Sequence, residues 1–299
     1  MHKTASIALA LYFFQAILIA QSQPVTAFKA VENGLVLADV ETSEFHSRFT
    51  GQDYHVYVSL PGSYSAGNQR YPVLYVLDLE EHFLTARTAR KAMNAANMLE
   101  EFILVGVPLK VKTPAEWSQR RILDLTPTKD AKWDASRSKQ LRAEVHSGGA
   151  AQFLRALKEE LIPYIESRYR ANADRGLSGY SLGSLFATYV WINDPNTFSR
   201  YLIGSPSLWW DGETVLKSAV AKVESGNGMH GRIYLSVGAD EGLIGVNPFK
   251  SLATALSTHP HPDRQVESRI VEGADHLGGI LGTISLGIKF LYAREQPPK

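Results

Sequence analysis

The sequence has 299 residues, 44% hydrophobic and 20% charged, with 31 basic and 30 acidic side chains for a net charge of +1. This is ordinary globular composition, long enough for one large core, and without the basic surplus that draws nucleic acid. With no cysteine, a disulfide framework, a thiolate metal site, a cysteine nucleophile and a lipidated cysteine are all excluded.

The chain opens with Met1-His2-Lys3, and the 14 residues from Ile7 to Ala20 are almost wholly apolar. Ala20-Gln21-Ser22 then offers small residues at the spacing a signal peptidase needs. The apolar run, broken by Gln15, falls short of the roughly 20 residues that span a bilayer. Residues 1–22 therefore read as a secretory signal, and residues 23–299 as a single domain with no membrane span.

Short strand-like runs follow at Leu35–Val40, Phe45–Phe49 and Tyr54–Leu60, bounded by Gly34, Gly51 and Pro61 and suggesting an antiparallel start to a sheet. Val73–Leu77 and Phe102–Val107 are continuous apolar runs, as expected of parallel strands covered on both faces. Phe153, Leu154, Leu157, Leu161, Ile162 and Ile165 form a stripe at helical spacing. Further strands are expected at Gly176-Leu177, Tyr201–Gly204, Ile233–Val237 and Val266–Val271, with helices around 184–193, 213–223, 248–257 and 278–291. The alternation describes an open α/β sheet. Residues 108–149 stand apart as a 42-residue excursion, expected to be a lid or substrate loop.

The chemistry concentrates at Gly179-Tyr180-Ser181-Leu182-Gly183, a G-x-S-x-G placed where a strand meets a helix. The glycines leave room for a sharp turn that pushes Ser181 into the open. The same turn aims the next helix's N–H groups at a developing oxyanion, which makes the Leu182 N–H one expected donor. A serine hydroxyl is a poor nucleophile until a histidine takes its proton and a carboxylate orients that histidine. Gly238-Ala239-Asp240-Glu241-Gly242 follows a strand and offers Glu241 or Asp240 as the acid. His276 follows the last strand and precedes the last helix, whereas His259 and His261 fall at the sheet's other end. The order Ser181, Glu241, His276 matches the α/β-hydrolase fold, and no HExxH or similar spacing indicates a metal.

Several stretches together resemble the esterase family that includes the siderophore (enterobactin-type) esterases, esterase D-like enzymes and mycolyltransferases. They are Tyr71–Asp78, Arg121–Pro127, Phe153-Leu154 with Glu160–Pro163, Gly179–Gly183 and Ser205–Trp210. The resemblance implies a serine carboxylic-ester hydrolase without a cofactor, in which Glu241 is the acid and the Glu80 N–H the second oxyanion donor. Two positions depart from the family pattern: Leu79 stands where a glycine normally follows Asp78, and Ser184 where a glycine often follows Gly183.

The 108–149 excursion carries nine basic residues, among them Lys110, Lys112, Arg120 and Arg121, against five acidic ones. A basic lid fits an anionic small-molecule ester such as a ferric siderophore, and with the signal it implies a periplasmic enzyme, or else an extracellular one. Arg121, Trp209 and Trp210 are the expected substrate-binding residues. A carbohydrate (acetyl or feruloyl) esterase, an acyltransferase and a non-catalytic binding module remain the alternatives.

Overall fold

In the computed structural model, residues 37, 39–226 and 230–294 are described. The expected signal, residues 1–22, lies outside them. The continuous apolar runs become the middle of a sheet. Its strands are β1 (Val40–His46), β2 (Asp53–Ser59), β3 (Tyr71–Asp78), β4 (Ile103–Pro108), β5 (Ala171–Tyr180), β6 (Arg200–Gly204), β7 (Gly231–Gly238) and β8 (Arg264–Val271). They pair in the order β1-β2-β4-β3-β5-β6-β7-β8. β1 and β2 pair antiparallel, as do β2 and β4, and all later neighbours are parallel. This is the expected α/β architecture, a mostly parallel sheet flanked by helices.

Side chains leave a strand alternately to its two faces, and β3 shows what that does here. Val73, Tyr75 and Leu77 enter one hydrophobic cluster while Leu74 and Val76 enter the other. The first cluster is closed by α4 (Ala150–Ala156), α5 (Ile162–Arg168), α6 (Leu182–Asn193), α7 (Trp210–Glu224) and α8 (Gly242–Thr258). The second is closed by α1 (Glu80–Ala95) and α9 (Ile280–Tyr292), through Phe83, Ile284, Ile288 and Leu291. Each fully buried aliphatic side chain contributes about 1.5–3 kcal/mol, so the two-sided strands fix the frame. Among the described residues, no helix is long and apolar enough to cross a membrane.

Four expectations are corrected. The first concerns residues 108–149, expected as a lid or substrate loop, which are not loop throughout: they hold α2 (Pro114–Leu125) and α3 (Ala131–Leu141). Thr113 caps α2 by accepting from Glu116 N–H at 3.1 Å, and Asp130 caps α3 by accepting from Trp133 N–H at 2.9 Å. Secondly, β1 falls between the two runs expected at 35–40 and 45–49, because Ser47–Gly51 forms a turn closed by Gly51 N–H to Ser47 C=O at 2.8 Å. The stripe from 153 to 165 is not one regular helix either. A π-turn at Leu157–Leu161 separates α4 from α5 just ahead of Pro163, which has no N–H to continue the α-helical ladder. Finally, α8 starts at Gly242 and carries Pro248 inside it, rather than beginning there.

The helix α2 is fastened to the sheet. Ile122 and Leu125 are buried in the first cluster. Asp124 accepts from Tyr54 Oη at 2.6 Å and Gln52 Nε2 at 3.1 Å. Burial pushes the Asp124 carboxyl up to about 7, against the opposing bond from Tyr54. An unfolded aspartate titrates near ~3.9. The folded value is the higher one, so this group's stabilising contribution is present below the unfolded value and lost as pH rises through 7. Asp124→Asn, which cannot ionise, is expected to melt above the wild type at pH values beyond 7, with the gap closing as pH falls toward 4. A thermal-melt series across pH checks this, and a gap that does not vary with pH would refute it.

Candidate active site

The C-terminal ends of β3, β5, β6, β7 and β8 lie along one end of the sheet, and the candidate residues sit there. Ser181 joins β5 to α6 with φ 58° and ψ −119°, a strained backbone for a residue with a side chain. Ser181 N–H donates to Gly204 C=O at 3.0 Å, pinning the turn to β6. The tightness comes from one glycine rather than two. A Cβ on Gly179 would lie 2.2 Å from the Gly183 carbonyl, whereas the nearest atom to a Cβ on Gly183 is 3.9 Å away, on Asp78. Ser184 is accommodated by its hydroxyl, which lies 2.7 Å from Gly179 C=O and 2.8 Å from Gly204 C=O and divides its one proton between them.

Glu241, not Asp240, faces His276. Its Oε2 lies 2.7 Å from His276 Nδ1, while Oε1 accepts from Gly238 N–H at 2.8 Å and Ser205 Oγ at 2.5 Å. Asp240 points to solvent. The Glu241 side chain is 5% exposed and that of His276 44%. Burial alone would raise the Glu241 carboxyl, but the bonds from His276, Ser205 and Gly238 outweigh it, so its pKa lies below the ordinary value. An ionised Glu241 oriented on Nδ1 leaves Nε2 as the ring nitrogen that can take a proton.

Tyr180 braces the histidine from below. Its ring lies 5.4 Å from the His276 ring, and its hydroxyl is 2.7 Å from both the His276 carbonyl and Ser205 Oγ. The Tyr180 proton goes to the His276 carbonyl, while the one Ser205 proton has two acceptors within reach, Tyr180 Oη and Glu241 Oε1. Burial pushes the Tyr180 phenol up to about 12, so it keeps that proton at neutral pH. Ser181 Oγ is 3.3 Å from Ser207 Oγ, and among the described residues this is its hydrogen-bond partner. His276 is not bonded to it, a looseness common where no substrate is bound.

The two expected donors head different helices. Leu182 is the first residue of α6 and Glu80 the first of α1. Neither N–H has an acceptor among the described residues. Leu79, in place of the family's glycine, is extended at φ −92° and ψ 146°, a conformation any residue adopts. The positive φ of this loop falls on Asp78 instead, at 83°. Among the described residues, no cluster of three or more His, Asp or Glu could hold a metal ion.

Residues 47–277 match the family described as Putative esterase. The chain belongs to that esterase family. Among relatives, it is 30% identical over 190 residues to the ferri-bacillibactin esterase BesA of Bacillus subtilis, covering 62% of this chain and 64% of that one. It is 31% identical over 183 residues to the siderophore triacetylfusarinine C esterase of Aspergillus fumigatus, covering 58% of each. The match thus spans less than two thirds of the length of either relative. Among solved structures, the BES protein from Bacillus cereus superposes with a TM-score of 0.74 at 24% identity, covering 89% of this chain and 99% of that one. An IroE-like serine hydrolase from Shewanella oneidensis gives 0.73 at 23% identity, covering 84% and 79%. At these identities the likeness is one of fold.

Against that esterase frame, the expected substrate-binding residues divide. Trp210 is fully buried, donates Nε1–H to Thr128 C=O at 3.3 Å and packs on Trp133 with ring centroids 4.9 Å apart, so it is core rather than cleft wall. Trp209 beside it is partly exposed. Arg121 turns its guanidinium to Asp78, with Nε 2.7 Å from both carboxylate oxygens, instead of outward. Lys110 and Arg120 are likewise paired, with Glu44 and Glu116. Sequence reasoning missed Tyr180, Ser205 and Asp78, since one hydroxyl or carboxylate among many carries no periodic or motif signal.

Two outcomes follow from this packing. Gly179→Ala is expected to cost about 3 kcal/mol or more, with Gly183→Ala changing stability by about 1 kcal/mol or less, in denaturant titration. Equal effects would show that the glycine contact is not what shapes the turn. Ser205→Ala removes one of the bonds that lower the Glu241 pKa, so that pKa should rise. A lowered carboxyl stabilises above its unfolded pKa and loses that contribution as pH falls through the folded value, so in the variant the contribution is smaller and its loss is complete at higher pH. Carboxyl titration by NMR reads it directly, and an unmoved Glu241 would contradict the assignment.

Proposed function

We propose that this protein is a secreted serine carboxylic-ester hydrolase acting on siderophore-type esters, trilactones above all. The observation that carries the chemistry is the buried Glu241 carboxylate hydrogen-bonded to His276, whose ring packs on Tyr180 next to a strained, partly exposed Ser181. Ser181 Oγ, turning from Ser207 to His276 Nε2, attacks the ester carbonyl carbon while the ring takes its proton. The Leu182 and Glu80 N–H groups receive the oxyanion, at the positive ends of α6 and α1. The imidazolium, held by Glu241, returns the proton to the leaving alkoxide. Water then repeats the sequence on the acyl-enzyme and frees Ser181, with no cofactor in any step.

The substrate class is supported by the relatives at 30% and 31% identity, whose names are those of siderophore esterases. The net positive charge of residues 108–149 suits an anionic ferric complex, although Lys110, Arg120 and Arg121 already hold carboxylates. Export rests on the apolar stretch from Ile7 to Ala20 read as a signal, and points to the periplasm.

Ser181→Ala and His276→Ala are each expected to lower the hydrolysis rate of p-nitrophenyl butyrate and of a ferric catecholate trilactone by about 10⁴-fold or more, and Glu241→Gln by about 10²–10⁴-fold. Wild-type cleavage of simple esters without the trilactone would sink the substrate class. Ester cleavage that survives Ser181→Ala would sink the nucleophile.

A further inference from the structure

Asp78 holds the most constrained position around the site outside the Ser181 turn. It ends β3 with φ 83°, and its side chain is 0% exposed. Both carboxylate oxygens lie 2.7 Å from Arg121 Nε, and Oδ2 is 2.6 Å from Arg121 Nη2. Arg121 is itself only 15% exposed and stacks over the Trp117 ring at 5.1 Å, so its fork is held from both sides. The side chain of Asp78 also faces the first turn of α6, its Oδ2 3.9 Å from where a Cβ on Gly183 would be, which places it near that turn without bonding to it. Its backbone leads through extended Leu79 directly into Glu80. One residue therefore leads into the segment carrying one candidate oxyanion donor and faces the segment carrying the other, and one arginine on α2 fixes that residue.

We infer that the Asp78–Arg121 ion pair is a positioning device that sets the Glu80 N–H against the Leu182 N–H. A left-handed backbone is disfavoured for any residue with a side chain, though aspartate tolerates it better than most, and it persists only where the surroundings over-determine it. The guanidinium supplies that determination. It also offsets the cost of withdrawing a carboxylate from water. Without the pair, the carboxylate is drawn toward water, Asp78 relaxes toward negative φ, and the start of α1 swings with it. The donors then no longer converge on one oxygen. By the same contact α2 is tied to the floor of the site, so Arg121 acts through Asp78 and not on the substrate. This deepens the serine-esterase reading and rests on it.

The test uses Asp78→Asn, which keeps shape and tolerance of positive φ but removes charge, together with Arg121→Lys, Arg121→Gln and the double variant Asp78→Asn/Arg121→Gln. With the neutral ester p-nitrophenyl butyrate, each single variant is expected to lose roughly 10–100-fold in kcat with KM within about twofold. Affinity for phenylboronic acid, which mimics the tetrahedral intermediate, should fall in parallel, and the double variant should be no worse than the worse single one. Amide hydrogen exchange at residues 82–85, the first bonded N–H groups of α1, should quicken in every variant while that of β4 and β6 stays as in the wild type. That readout needs no turnover and keeps failure of this inference apart from failure of the esterase reading. Unchanged exchange at 82–85 would overturn the proposal, as would unchanged kcat in an enzyme that Ser181→Ala inactivates. A rise in KM confined to anionic esters in the Arg121 variants, with Asp78→Asn silent, would overturn it in favour of direct substrate contact.

Discussion

A carboxylate withdrawn from water has to be given hydrogen bonds to replace those it loses, and Glu241 is where this fold meets that demand. Its three donors come from three different places: the end of β7, the residue after β6, and the loop after β8. Each partner is constrained in turn. Gly238 approaches so closely that a Cβ there would sit 2.2 Å from Ala274 C=O, and Ser205 takes a positive φ of 43°. Tyr180, the neighbour of Ser181, joins the same network through Ser205 and the His276 carbonyl. Four parallel strand ends are thereby held to one charge, and the spacing of β5 to β8 decides where the serine, acid and histidine can stand.

The backbone at Ser181 is the complementary constraint. Strain at φ 58° is retained because relaxing it would separate Ser181 N–H from Gly204 C=O and disturb the contact of Gly179 with Gly183. Ser184 adds a second tie, its buried hydroxyl reaching the carbonyls of both Gly179 and Gly204. A serine in the place of a family glycine thus costs no space and satisfies backbone oxygens that the sharp turn leaves short of donors.

Much of this was legible from the chain alone, for physical reasons that differ between residues. Two-sided burial makes β3 and β4 continuous apolar runs, and a strand end followed by G-x-S-x-G or by a lone histidine is a local pattern. What a local pattern leaves open is direction. Asp240 and Glu241 are adjacent, as are Trp209 and Trp210, and only the turn geometry assigns one of each pair to the solvent. The basic count of residues 108–149 hid the same difficulty, because composition cannot reveal that Arg121 already has Asp78, or Lys110 Glu44. The two helices there went unrecognised although Thr113-Pro114 and Asp130 are ordinary start signals. Their apolar stripes are short, and what secures α2 is the distant partners Tyr54, Gln52 and Asp78.

The sheet ends at β8, which offers a row of backbone groups with no further strand beside it among the described residues. Such a row is a template on which another chain can polymerise. Here Glu267 and Arg269 alternate with less polar positions and bond to one another at 2.5 Å along the strand. Incoming strands would have to strip water from both charges before gaining a ladder bond. The edge farthest from β1 is therefore self-limiting, which suits a protein that must stay dispersed at whatever concentration its compartment imposes.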